Sequence, residues 1–347
     1  GRWLAGYRLA PAKQARSQRA SKSWSDDEGR TWSLPAVVGQ RFLNDAGSPA
    51  GSWRYVAAAP VGGARVGAVL GWEDTSDSLV PMFNEQTEGI ADMKLYAAFS
   101  DDGGVTFGTP RRIARGRHDD VPTPPTGAML VLPDGRWAVP FEVNKRYEDT
   151  APWQHASCLT FSSDEGATWS EVVEVHTDPD RRIFCWDQRL SVLRDGNIFG
   201  LFWTFDRHAN AYLSIHSRCS PDSGRSWGRL SDTGVAGQPA RPVGLADGRI
   251  VMVFVDRTAE PRIKARVSSD GGKSWPADSE LLVHERPARA RSQTWDKRSM
   301  QDAWAEMSAF SIGLPDAVAL PNGDVLTVFY SGDRTDLTDV LWVRIRP

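Results

Sequence analysis

One short pattern, Ser-x-Asp-x-Gly-x-Thr/Ser-aromatic, occurs five times in this chain of 347 residues. The copies begin at Ser25, Ser100, Ser162, Ser220 and Ser268, and their aspartates are Asp27, Asp102, Asp164, Asp222 and Asp270. Successive copies lie 75, 62, 58 and 48 residues apart, which suits a four-stranded sheet with loops of varying length. Self-similarity at such intervals indicates a fold built from repeated units.

Each copy predicts a tight turn and has no chemistry of its own. A short aspartate accepts hydrogen bonds from the backbone of its own turn, glycine adopts a positive φ, and the aromatic ring packs beneath. We therefore expect all five aspartates to be structural.

A second pattern alternates with the first, between apolar runs of strand length. It reads Leu132-Pro133-Asp134-Gly135, Leu193-Arg194-Asp195-Gly196, Leu245-Ala246-Asp247-Gly248 and Leu320-Pro321-Asn322-Gly323. Asp-Gly and Asn-Gly favour two-residue hairpin turns with positive φ at both central residues. The runs that follow, at 198–205, 250–255 and 325–330, predict strands covered on both faces.

Together the two patterns predict an all-β, six-bladed β-propeller of four-stranded antiparallel blades, in a single domain over residues 1–347. Complete blades are expected at 48–117, 118–180, 181–236 and 237–290. The first blade, 1–45, lacks its inner strand, and the last, 291–347, has no copy of the first pattern. Because the chain opens in the middle of a repeat, we expect an upstream segment to complete the first blade.

Composition argues against several classes of function. The net charge is −3 with a pI near 6.1, and acidic and basic residues are interspersed, so the positive stripe that nucleic acid requires is missing. No apolar run approaches the roughly 18 residues of a membrane span. Three cysteines at unrelated spacings indicate buried free thiols. The sequence contains no metal-binding or cofactor-binding motif. It does not determine the cellular compartment, and secretion or a periplasmic location is compatible with it.

At this point the chain resembles the sialidase superfamily, whose members combine a six-bladed propeller with several turns of the first pattern, known as Asp boxes. The resemblance implies a site on the face opposite the Asp boxes, an arginine triad for a sugar carboxylate, and a tyrosine on the last inner strand backed by a glutamate. The matching stretch here, 311–320, has no tyrosine and offers Asp316. Gln188 or Gln238 stands where the glutamate is expected, and the family's Arg-Ile-Pro strand would precede Gly1.

Charged strand ends supply candidate contacts to substrate. In three of the blades the second strand ends in the dipeptide Asp-Arg, at 206–207, 256–257 and 333–334. These pairs fit either local salt bridges or a cationic floor that grips an acidic sugar through guanidinium forks. The candidate substrate-binding residues are Arg54, Arg189, Arg207, Arg241, Arg257, Trp186 and Trp304. Tryptophan faces stack on sugars, and Trp53, Trp72, Trp153 and Trp295 are further candidates.

Glycoside chemistry needs two carboxyl groups, one as an acid and one as a base or nucleophile. The candidate catalytic residues are Asp187, Asp206, Glu142, Asp316, Glu306 and His208. His208 is flanked by Asp206 and Arg207, which favours it over His118 as a proton carrier.

The leading hypothesis is an exo-acting glycoside hydrolase that removes an acidic or modified terminal sugar. A uronate-directed lyase on the same scaffold also needs arginines beside a carboxylate and a histidine or tyrosine as base. The third alternative is a propeller that binds carbohydrate without catalysis. In each case the expected partner is a small sugar or oligosaccharide, and the sequence leaves the oligomeric state open.

Overall fold

The computed structural model describes residues 1–13, 15–39, 50–77, 79–169, 171–285 and 300–347. These residues form six antiparallel sheets, here numbered 1 to 6 in chain order, and the fold is the predicted all-β, six-bladed propeller. The chain divides into two compact units, residues 1–154 with 158–173, and residues 155–157 with 174–347. A single domain over the whole chain stays a prediction.

Sheets 1 to 3 follow the predicted blade boundaries. Sheet 1 has three strands, β1 (Trp3–Leu9), β2 (Arg19–Ser25) and β3 (Ala36–Val37). Sheet 2 runs in the order β4 (Gly51–Gly62), β5 (Arg65–Asp74), β6 (Met93–Ser100) and β7 (Arg111–Arg112). Sheet 3 comprises β8 (Leu130–Val131), β9 (Trp137–Val143), β10 (Ala156–Ser162) and β11 (Glu171–Thr177).

Sheets 4 to 6 repeat the plan. Sheet 4 contains β12 (Ile183–Val192), β13 (Ile198–Asp206), β14 (Ala211–Tyr212), β15 (His216–Ser220) and β16 (Ser231–Asp232). Sheet 5 contains β17 (Gln238–Pro239), β18 (Val243–Gly244), β19 (Ile250–Asp256), β20 (Arg262–Ser268) and β21 (Leu281–Glu285). Helix α1 (Met300–Ser308) precedes sheet 6, which has β22 (Ile312–Ala319), β23 (Val325–Arg334) and β24 (Leu337–Ile345). Short 3-10 turns lie at Gly116–His118 and Ala277–Ser279.

The hairpin turns differ from the two-residue prediction. In the first of them, Gly135 N donates to Leu132 O at 3.0 Å and Leu132 N to Arg136 O at 2.8 Å, which leaves a three-residue loop. The same two bonds recur in the other three turns. Only the glycine has a positive φ, +84° at Gly135, so these are three-residue hairpins with a left-handed residue at the end. The extra residue before Asp-Gly changed the turn type.

The Asp-box turns are confirmed as structural hairpins. In the first, the Ser25 hydroxyl donates to Asp27 Oδ1 at 2.8 Å and accepts from Gly29 N at 2.8 Å. Asp27 also accepts from the hydroxyl and the amide of Thr31, and these bonds lower the pKa of Asp27 to about 2. Glu28 and Gly29 both have positive φ, +57° and +84°. Every acceptor of the aspartate is therefore used within its own turn.

The core consists of the buried faces of the central strands. All residues of β13 and six of the seven in β19 are buried, as the apolar runs predicted. Residues 325–330 instead alternate between buried and half-buried, so that strand is fully covered on one face only. Cys158 and Cys185 are buried free thiols, and Cys219 is partly exposed. Among the described residues, no helix has the length and apolar character that a membrane crossing demands.

Candidate functional site

Charged residues lie where the innermost strands lose their regular pairing. The register of the inner strand shifts between Trp53 and Tyr55 in sheet 2, between Trp186 and Arg189 in sheet 4, and between Gly313 and Asp316 in sheet 6. In sheet 5 the inner strand is divided into β17 and β18, with Arg241 between them. Such bulges redirect side chains and are common beside functional sites. Sequence patterns alone did not reveal them.

Asp187 lies in the sheet 4 bulge and is held on both carboxylate oxygens. It has a φ of +53°, in the left-handed region that aspartate adopts more readily than most residues. Its Oδ1 accepts from Arg189 Nη2 at 2.7 Å, and its Oδ2 accepts from Gln238 Nε2 at 2.6 Å. The two bonds fix the orientation of this carboxylate.

Gln238 continues this chain of hydrogen bonds to a buried arginine. Its Oε1 accepts from Arg257 Nη1 at 2.9 Å, and Arg257 Nη2 donates to the carbonyl of Ile312 at 2.8 Å. Arg257 is 2% exposed and its guanidinium lies 3.9 Å from the centre of the Phe310 ring. Burial lowers the pKa of Arg257 from its ordinary value. This arginine is a buried support and not part of an open cationic floor.

Tyr330 is a site residue that the sequence analysis missed. It lies on β23, the second strand of sheet 6, and interacts electrostatically with Arg257. Burial raises the pKa of the Tyr330 hydroxyl, and Arg257 only partly offsets that effect. The family resemblance implies a tyrosine on the last inner strand, where this chain has none, whereas Tyr330 ends an apolar run that was interpreted as core. Its polar hydroxyl at the end of that run was the available sequence signal.

Arg241 and Asp316 form a forked ion pair in the second unit. Arg241 Nε and Nη2 donate to the two carboxylate oxygens at 3.3 and 2.9 Å. The side chains are 18% and 38% exposed, so both groups can reach a ligand. Glu306, on α1, interacts electrostatically with Arg257 and with Tyr212. Asp187, Asp316 and Glu306 are thus three predicted carboxylates that lie near arginines in this unit.

The other predicted residues of the second unit form local contacts. Asp206 binds Arg182 at 2.8 Å and accepts from the backbone amides of His208 and Ala209. Burial acts to raise the pKa of Asp206, but these partners outweigh it and hold the pKa below its usual range. His208 is exposed, and the Arg207 guanidinium lies 5.7 Å from the Phe184 ring centre. Asp206 is therefore held by a local ion pair with Arg182, while Arg207 of the same exit packs near an aromatic ring.

Most candidate tryptophans are core residues. Trp186 is 7% exposed and packs against Phe205 and Trp203, with ring centres 5.0 and 5.9 Å away. At this exposure Trp186 has little ring surface to offer a sugar, contrary to the prediction, because Phe205 stacks on its ring and Trp203 packs against it at a steep angle. Trp53 and Trp153 are also buried, at 4% and 1%. Trp72 and Trp304 are half-buried, and Trp295 lies outside the described residues.

Two predicted residues belong to the first unit. Glu142 is 8% exposed on β9, a strand that is buried along its whole length. Arg54 pairs with the fully buried Glu73 at 3.2 Å. A separate cavity of about 520 Å³ in the second unit, lined by Val251, Glu280 and Ile345 among others, contains none of the candidate site residues.

The fold and the repeated Asp boxes define a propeller of the sialidase superfamily. Residues 55–326 match the family model described as a BNR repeat-like domain, and the chain belongs to that family. No curated protein matches the sequence.

Solved structures show the same fold at low sequence identity. A protein of unknown function from Dyadobacter fermentans DSM 18053 is 17% identical with a TM-score of 0.72, over 100% of this chain and 92% of that one. The Hadza microbial sialidase Hz136 is 15% identical with a TM-score of 0.68, over 99% and 63%. A NanB sialidase from Streptococcus pneumoniae is 12% identical with a TM-score of 0.64, over 99% and 66%. This chain therefore spans about two thirds of these two sialidases.

Proposed function

We propose that the chain is a glycoside hydrolase that removes an acidic terminal sugar, with its reacting groups in the second unit. The observation that carries the proposal is the continuous chain of hydrogen bonds from Arg189 through Asp187 and Gln238 to Arg257, which also interacts electrostatically with Tyr330. Networks that hold a carboxylate in one orientation are characteristic of catalytic sites. The similar structures named as sialidases support an acidic sugar as the substrate class.

In this proposal the residues have separate roles. Asp187, oriented on both oxygens, acts as base or nucleophile, and Asp316 or Glu306 supplies the second carboxyl group that glycoside cleavage needs. Arg241 is the arginine best placed to bind the sugar carboxylate, because its side chain is partly exposed; the sugar would share this guanidinium with Asp316. Arg257 supports the site as a buried group, since its donors go to Gln238 and Ile312.

The test is incubation with a panel of aryl glycosides of acidic sugars and with uronate oligosaccharides. We expect release of the aryl group from at least one acidic glycoside and a loss of about 100-fold or more in kcat/KM for Asp187→Asn. Asparagine tolerates a positive φ, so this variant should keep its fold. Asp195→Asn, in an exposed hairpin turn of the same unit, is the matched control and should retain full activity.

Two other outcomes would replace the proposal. New absorbance from an unsaturated uronate would identify a lyase. The contact between Tyr330 and Arg257 favours a lyase, because a tyrosine beside an arginine can serve as its base. Burial raises the pKa of Tyr330, however, and this weakens the tyrosine as a base. Binding of acidic sugars without turnover of any substrate would indicate a carbohydrate-binding propeller.

A further inference from the structure

Three arginines of the first unit surround one buried carboxylate. Glu73, at the end of β5, is fully buried, with 0% exposure. Its oxygens lie 3.2 Å from Arg54 Nη1 and 3.6 Å from Arg16 Nη1, and Gln18 Nε2 donates to Oε2. Arg54 occupies the bulge of β4, which directs its side chain toward this cluster.

Arg8, on β1, is the third arginine. Its Nη2 donates to the carbonyls of Ala12, Lys13 and Ala15 at 2.9 to 3.2 Å. Burial lowers the pKa of Arg8 to about 10, repulsion from Arg54 lowers it further, and Glu73 only partly offsets both effects.

The cluster has more positive than negative charge. Glu73 is the carboxylate that pairs with these arginines among the described residues. The side chains of Asp74 and Asp77, nearby in sequence, accept from the amides of Ser76 and Leu79 in their own turns. Like charges in a partly buried setting are stabilised by a bound anion.

Two arginines of the cluster are partly exposed. Arg16 is 10% exposed and donates to the carbonyls of Val80 and Asp74, so it forms a fixed edge of the cluster. Arg54 is 24% exposed and Arg8 is half-buried, so a ligand can reach these two. Guanidinium groups bind planar or tetrahedral oxyanions through paired N–H donors.

We infer that Arg8 and Arg54, framed by Arg16 and Glu73, form an oxyanion-binding site in the first unit for a carboxylate or sulfate group. The inference uses none of the residues of the proposed hydrolytic site and stands whether or not the chain is a hydrolase.

The experiment is calorimetric titration of the full chain with inorganic sulfate, with D-glucuronate and with D-glucose as a neutral probe. We expect at least one of the two anions to bind and glucose not to bind. Arg54→Gln should weaken that binding by about tenfold or more, the usual effect of removing a charged hydrogen bond. Arg54→Lys keeps the positive charge but loses the paired N–H donors, so its anion affinity should lie between those of the wild type and Arg54→Gln.

Two control variants distinguish binding at this site from nonspecific attraction to positive charge and from binding in the second unit. Arg65→Gln removes an arginine of the same unit that pairs with Glu165 and Asp101, and should leave anion affinity unchanged. Arg241→Gln tests the proposed hydrolytic site. Absence of binding by both anions, unchanged affinity in a folded Arg54→Gln variant, or an equal loss in Arg65→Gln would overturn the inference. Loss in Arg241→Gln alone would assign binding to the second unit instead.

Discussion

At the scale of single residues, Gly313 shows how the backbone makes room for the buried arginine. Its φ is +149°, and a Cβ at this position would overlap Arg257 Nη2 and lie 3.3 Å from the Tyr330 hydroxyl oxygen. Arg257 could not then keep its bonds to Gln238 and Ile312. The glycine thus allows the hydrogen-bonded chain that ends at Asp187.

Gly313→Ala is therefore expected to cost about 1–3 kcal/mol in the free energy of unfolding and to reduce binding of acidic sugars. Gly323→Ala is the matched control, because it also has a positive φ, +89°, but nothing lies within 4 Å of its Cβ position. It should show the backbone cost alone. Denaturant unfolding and sugar titration measure the two effects, and equal sugar affinity in both variants would contradict the role assigned to Gly313.

At the scale of elements, the Asp-box turns are closed by a buried serine. Ser268 is 0% exposed, its hydroxyl donates to Asp270 Oδ1 at 2.7 Å, and it accepts from Gly272 N at 2.9 Å. The serine thereby joins the end of β20 to the turn. The same bonds recur at Ser25, Ser100, Ser162 and Ser220.

Ser268→Ala should lower the free energy of unfolding by about 1–3 kcal/mol, because the amide of Gly272 loses a buried acceptor. The neighbouring Ser269 is exposed, so Ser269→Ala should have little effect. Chemical denaturation of both variants compares them directly. A Ser268→Ala variant as stable as the wild type would show that the turn does not depend on this hydroxyl.

At the scale of the whole molecule, a buried histidine couples stability to pH. Burial lowers the pKa of His176 from its ordinary value of 6.5 to about 4. The unfolded chain takes up this proton first, so the histidine's contribution is fully present above pH 6.5 and is lost as the pH falls toward 4.

We expect this group to remove up to about 3 kcal/mol of stability across that range, since each unit of pKa difference corresponds to about 1.4 kcal/mol. His176→Gln should lose less stability than the wild type between neutral pH and pH 4. His208→Gln, which changes an exposed histidine, should follow the wild-type curve. Unfolding curves at several pH values test this, and identical acid sensitivity in all three proteins would refute the assignment.

The amino-acid sequence by itself determined the blades, their boundaries and the Asp-box turns. Those features depend on contacts within a few residues, such as Asp27 with Thr31, so a short pattern is enough to specify them. Turn type was less secure, because one added residue before Asp-Gly converted the hairpins to three-residue loops.

Only the tertiary structure decided which charged residues meet. Asp187 and Gln238 are 51 residues apart, Arg257 and Ile312 are 55 apart, and Arg241 and Asp316 are 75 apart. Strand bulges, which no periodic pattern announces, turned Asp187 and Arg54 toward their partners. Local rules place residues on strands, but a site forms from side chains of different sheets, and their meeting depends on how those sheets pack.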